Sequence, residues 1–230
     1  MKRMCFLSLA LTAALTIGCR GDDRSARTTN PETGAPVGTS GAADVSRGDQ
    51  DFVKDSAIAG MAEIELGRMA QQKGMDSNVK KFGQMMVEDH TKAGEALKSI
   101  ATENRIEMPA QVDDDHKDKG EKLAAKNGAD FDRDYADMMV DGHQDFVDKL
   151  ESRIDKDTLS KWKAEYERKT GDAKERAEAE VKAVAVTAEK SDDPNTQSLN
   201  NWAADTYPVA FAHLQAAKDL LDGVRKRATN

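Results

Sequence analysis

Residues 77–104, SNVKKFGQMMVEDHTKAGEALKSIATEN, decide the fold. Read with a period of 3.6, they place Val79, Phe82, Met86, His90, Ala93, Leu97 and Ile100 on one stripe, with charged residues opposite. Asp76-Ser77 supplies an N-cap for this helix, and Pro109 closes its far side. Such a stripe has to be buried against other elements. One residue on it is polar. A histidine in mid-stripe needs a hydrogen-bond partner or a metal once it leaves water.

Three further segments carry the same period. Residues 51–73 line up Ile58, Ala62, Glu65 and Met69, while Glu63 lines up instead with Ala59, Leu66 and Ala70. Residues 129–154 show Phe131, Tyr135, Met139, His143, Phe146 and Leu150. The last segment opens at Asp193-Pro194, a good first turn. It continues through Leu199, Trp202, Val209, His213, Ala216, Leu220 and Val224, with Pro208 predicted to kink it. A short polar helix over 114–126 ends at Asn127-Gly128. No strand alternation or hairpin signal competes, so the fold class is all-α, with an up-and-down four-helix bundle over residues 51–226. Between the third and fourth bundle helices, residues 157–191 are rich in Lys, Glu and Ala and divided by Gly171. They predict a charged helical arm, solvated along its length, with Leu159, Trp162 and Tyr166 packing at its base. A surface for an envelope protein partner is the alternative meaning of that charge. The arm lacks the continuous apolar face that a helix lying on a membrane needs.

The N-terminus reads as a targeting segment. Met1, Lys2 and Arg3 form a basic head before an apolar run over residues 4–17, too short to span a bilayer as a helix. The run ends in Leu15-Thr16-Ile17-Gly18-Cys19, which resembles the lipobox of bacterial lipoproteins, with Thr16 standing where Leu is commoner. The resemblance implies a signal peptide over residues 1–18, cleaved after Gly18, and a diacylglycerol on Cys19. The alternative is an ordinary cleaved signal in which Cys19 is incidental. Two or more acyl chains give stable anchoring, and Arg20, where an inner-membrane retention signal would carry Asp, favours the outer membrane facing the periplasm. Residues 19–50 then form the lipid anchor and a polar tether with little to bury. Its r.m.s. reach is on the order of 30 Å.

Composition narrows the functions. Cys5 belongs to the leader and Cys19 to the lipid, so the expected mature chain has no thiol for a disulfide, a thiolate metal site or a nucleophile. Loss of Lys2 and Arg3 takes the formal charge from −8 to about −10. Without a basic stripe or interleaved aromatics, nucleic acid is excluded as a partner. Gly-rich phosphate loops, nucleophile elbows and His-Glu-x-x-His motifs are all missing from the sequence.

Several runs then resemble one family. They are Glu63-Ile64-Glu65-Leu66-Gly67, Val79-Lys80-Lys81-Phe82 leading to Met86-Val87-Glu88-Asp89-His90, and Phe131-Asp132 with Tyr135. Met139-Val140-Asp141-Gly142-His143, Tyr207-Pro208 and His213-Leu214 complete the set. In this order they resemble the bacterial predicted outer-membrane proteins of domain-of-unknown-function family 4142. The resemblance covers about residues 50–155 and 192–222. It implies a ferritin-like four-helix bundle and no established activity. The arm over 157–191 departs from the short link that the resemblance implies.

The histidines and glutamates are the remaining signal. His90 and His143 fall near the middles of their helices, as do Glu63 and Glu65, and His213 sits somewhat past the middle of a longer, kinked helix; in an antiparallel bundle such positions fall within a turn or two of 5.4 Å. Ferritin-like dinuclear sites need Glu-x-x-His pairs. Val87, Val140 and Ala210 stand three before these histidines, so that chemistry is not expected. Asp89 is about 100° around the helix from His90 and is not expected to share its target. Two readings stay open. In one, the imidazoles bond to Glu63, Glu65, Tyr135 or backbone carbonyls, and the protein has a binding or structural role without enzymatic activity. In the other, Glu63, Glu65, His90, His143 and His213 supply ligands to a single transition-metal ion, whether zinc, copper or iron, in a metal-binding or redox protein. Met86 and Met139, each four residues before a histidine, are soft copper(I) donors in that second reading and core filler in the first. His116, within Asp113-Asp114-Asp115, reads as a surface residue.

Overall fold

The computed structural model describes residues 45–169 and 185–228. The expected leader, Cys19 and the tether as far as residue 44 lie outside them, as do residues 170–184 of the arm. Among the described residues there are six helices and no strand longer than a single bridge. They are α1 (Arg47–Lys73), α2 (Ser77–Glu103), α3 (Asp114–Ala124), α4 (Gly128–Glu151), α5 (Lys156–Lys169) and α6 (Pro194–Ala228). The fold is the expected all-α bundle, built from α1, α2, α4 and α6. None of these helices is long and apolar enough to cross a membrane.

α1 begins a turn earlier than its pattern suggested, because Ser46 caps it by accepting from the Asp49 amide at 3.1 Å. α1 and α2 form a tight antiparallel pair. They cross at Gly67 and Gly83, where a Cβ on either would come within 2.6 Å of the other's carbonyl oxygen. Only glycine fits at that crossing.

The direction of the remaining helices refines the up-and-down expectation. At one end of the bundle, Asp132 near the start of α4 accepts from the amides of Met75 (2.9 Å) and Asp76 (2.7 Å), between α1 and α2. Arg227 near the end of α6 pairs with Asp76 at the same end. At the other end, Arg153, just beyond α4, pairs with Asp49 and donates to the Gly48 carbonyl at 3.1 Å. Thr196 of α6 donates to Asp49 at 2.6 Å. α2 and α4 therefore run the same way, and α1 and α6 run against them. The order is up, down, down, up. Residues 104–127 make this possible. They cross the length of the bundle, about 40 Å for a 27-residue helix, carrying α3 along the seam of α1 and α4. One long crossover between two antiparallel pairs is the ferritin-like arrangement.

The core falls into two apolar clusters. One, around Phe52, Leu97, Phe146, Trp162, Leu199, Trp202 and Tyr207, fills the end near Arg153. The other, around Leu66, Phe82, Met86, Phe131, Met139, Leu220 and Val224, fills the end near Asp76. α5 belongs to the first. Its Leu159, Trp162 and Tyr166 are buried, and Trp162 meets Tyr166, Tyr207 and Phe211 at ring separations of 5.2, 5.3 and 5.4 Å. The chain returns through one antiparallel bridge between Ile154 and Ala188, with Asp155 N–H donating to Thr187 O and Glu189 N–H to Arg153 O, both at 2.9 Å. α6 remains helical through Pro208. Val209, expected inside, is 46% exposed because it sits at the margin of an arc that buries Tyr207 and Ala210 instead.

Candidate metal centre

Between the two apolar clusters each bundle helix contributes one polar side chain. Glu63 comes from α1, His90 from α2, His143 from α4 and His213 from α6, and all are buried. The three imidazole rings form a triangle with 5.5 Å between every pair of centroids. One ring nitrogen from each lies within 4.8 Å of those of the other two.

Each ring is held from one side. Glu63 Oε2 lies 3.0 Å from His90 Nδ1, and Oε1 lies 3.2 Å from His143 Nδ1. These are ion-pair contacts without full hydrogen-bond alignment, so both carboxylate oxygens keep unused acceptor capacity. His143 Nδ1 also donates to the Met139 carbonyl at 2.9 Å, and His213 Nε2 to Asp89 Oδ2 at 3.2 Å. These acceptors assign the proton to that nitrogen in each neutral ring. The opposite nitrogens, His90 Nε2, His143 Nε2 and His213 Nδ1, are buried and have no hydrogen-bond partner. A ring tied to a carboxylate or carbonyl at one nitrogen, with a lone pair at the other, is the arrangement of a metal-bound histidine.

The charges agree. Burial alone would raise the Glu63 pKa, but His143 and His90 outweigh it and hold the carboxyl well below its usual range. For His90, burial pulls the pKa down, yet the adjacent Glu63 carboxylate lifts it above the ordinary value. His143 goes the other way. Burial drives it down to about 4, and Glu63 opposes only in part. The hydrogen bond from His213 holds Asp89 down at about 2. Glu63 thus stays ionised inside the core beside His90 and His143, and Asp89, about a third exposed, stays ionised at its edge against His213.

The sequence expectations divide here. Glu63 joins the cluster, and Glu65 does not: it is exposed. Two residues along a helix correspond to about 160° around it, and the buried arc of α1 is centred near Ser56, Glu63 and Ala70. Ile58, on the same line as Glu65, is buried beside a cavity between α1 and α4 whose wall Glu63 also shares. Tyr135, offered as a network partner, has a buried hydroxyl with no hydrogen bond. Burial and the Glu63 charge raise its pKa. Met86 and Met139 are buried in the apolar cluster near Asp76. His116 is partly exposed and bonds to its own cap residue Asp113 at 2.5 Å. Asp89 was set aside because it does not face His90, and it does not; it reaches His213 on another helix. Its signal was its position at the edge of the stripe, which only the neighbour's identity makes meaningful.

Three imidazoles would seat a tetrahedral ion at 2.0–2.1 Å if each nitrogen moved inward by at most about 0.8 Å. That leaves a fourth position, which water can take, with Glu63 behind the rings of His90 and His143.

The model of the family described as "Domain of unknown function (DUF4142)" matches residues 34–169. No curated protein and no solved structure matches the chain significantly.

Proposed function

This chain belongs to the DUF4142 family, and we propose that it is a metal-binding helical bundle, holding one transition-metal ion on His90, His143 and His213. One observation carries this reading. Three buried imidazole nitrogens, one on each of three rings packed 5.5 Å apart, have no hydrogen-bond partner, while the opposite side of every ring is fixed. Each empty buried acceptor costs about 1–3 kcal/mol. A hydrogen-bond network satisfies only half of these nitrogens, whereas one cation satisfies the rest. The buried Glu63 carboxylate, behind two of the rings, adds a favourable charge for a cation. The donor set suits zinc(II) best, with copper and iron as the alternatives to be read out. No reaction is assigned; the role is binding. The lipobox-like residues ending at Cys19 support an envelope lipoprotein anchored in the outer membrane and facing the periplasm.

Metal analysis of the purified chain tests the site. We expect one equivalent of metal, lost to background in His90→Ala and in His143→Ala. Background metal in the unaltered chain, even after reconstitution with zinc, copper and iron, would leave a structural cluster in its place. Cys19→Ala tests the anchor separately, since it should move the protein from the membrane fraction to the soluble one.

A further inference from the structure

The cavity between α1 and α4 has a volume of about 420 Å³, and Glu63 forms part of its wall. No other charged group of the cluster lines it. Glu63 is 4% exposed, and both its oxygens lack an aligned donor. Opposite it on α4 stands Gly142, also in the wall, where a Cβ would lie 3.5 Å from Glu63 Oε1. A glycine in mid-helix costs about 1 kcal/mol relative to alanine. Here no backbone crossing or left-handed conformation requires it. A methyl there would only touch the carboxylate, whereas a larger side chain would stand between it and the cavity. Toward solvent the walls carry Asp141 and Asp145, one turn apart on α4, both exposed. Elsewhere around the rim Lys149 pairs with Asp55 and His116 with Asp113, and Lys119 adds a positive charge near Asp113, so that the rim as a whole stays acidic.

We propose that this cavity is the route by which the metal ion reaches and leaves the three histidines. The inference rests on the metal-binding reading. Asp141 and Asp145 gather the cation at the rim, Glu63 takes it from the cavity, and Gly142 leaves room for it to pass. Glu63 suits the handover because it touches cavity and imidazoles at once. Charge at a cleft mouth raises the local cation concentration and the on-rate.

A route and a site differ in what a mutation changes. Obstructing a path slows entering and leaving equally, so the affinity stays put; damaging ligands changes the affinity itself. The full chain is stripped of metal, and zinc(II) uptake and release are followed by stopped flow against a chromophoric chelator. Gly142→Leu should slow both rates at least tenfold and shift the dissociation constant less than threefold. Asp141→Asn with Asp145→Asn, on the surface and harmless to packing, should slow uptake three- to tenfold at low salt and flatten its ionic-strength dependence. Unchanged rates in both variants would overturn the route while leaving the histidine site standing. An altered affinity at unchanged uptake would do so too, by making Gly142 a packing position. If the unaltered chain takes up no zinc, copper or iron, the metal-binding reading itself fails and the route falls with it.

Discussion

Glu63 and Glu65 differ by two positions and have opposite fates, one in the core and the other in water. Their separate substitution is therefore informative. With Glu63 beside two ligand rings, Glu63→Gln should weaken zinc binding roughly 10–100-fold, as loss of a carboxylate behind ligating histidines does. Chelator competition measures this. Glu65→Gln should alter neither affinity nor stability beyond about 0.5 kcal/mol. The histidines were legible in the sequence because a stripe of seven positions on α2 leaves His90 nowhere to point but inward. The glutamates were not, since α1 touches α2, α3 and α4 and two different lines along it are partly buried. Asp89 was illegible for another reason. Its partner, His213, lies 124 residues away, and periodicity says which way a side chain points but not what meets it.

Among elements, the α1–α2 crossing is the least tolerant. Gly67→Ala would press its methyl against the Gly83 carbonyl and force the helices apart, a loss of about 1–3 kcal/mol that urea denaturation would register. The start of α1 has its own acid sensitivity. Asp49 is buried against Ser46, Arg153 and Thr196. Burial would raise its pKa, but the bonds from Thr196, Arg153 and Ser46 hold it below the ordinary 3.8. The unfolded chain thus takes up this proton first as pH falls. The stabilisation is complete above the unfolded value and disappears as pH drops through the folded one. Below about pH 4, the unaltered protein should lose unfolding free energy more steeply than Asp49→Asn, and a gap that does not narrow with acid would contradict this. Helix positions were readable to within about a turn, and so was the Asp76 cap of α2, but not the Ser46 cap that starts α1 early. Direction was not. An apolar stripe looks the same running up or down, so the crossover of residues 104–127 could be seen only once Asp132 was found bonded beside Met75 and Asp76.

For the whole molecule, bound metal should act as a stability reserve. An ion present at about 1,000 times its dissociation constant adds about 4 kcal/mol, or roughly 8–16 °C in Tm for a domain of this size. Thermal unfolding with zinc and then with excess chelator should show that rise and its reversal, with no rise in His143→Ala. The split of the core into two apolar clusters, one on either side of the Glu63–histidine layer, has a mechanical corollary. Without the ion there is no unbroken oily column from end to end, so either half can loosen while its neighbour holds. The ion would then be a rivet through the waist, and amide exchange in the two halves, independent when it is missing, would become a single cooperative event when it is seated.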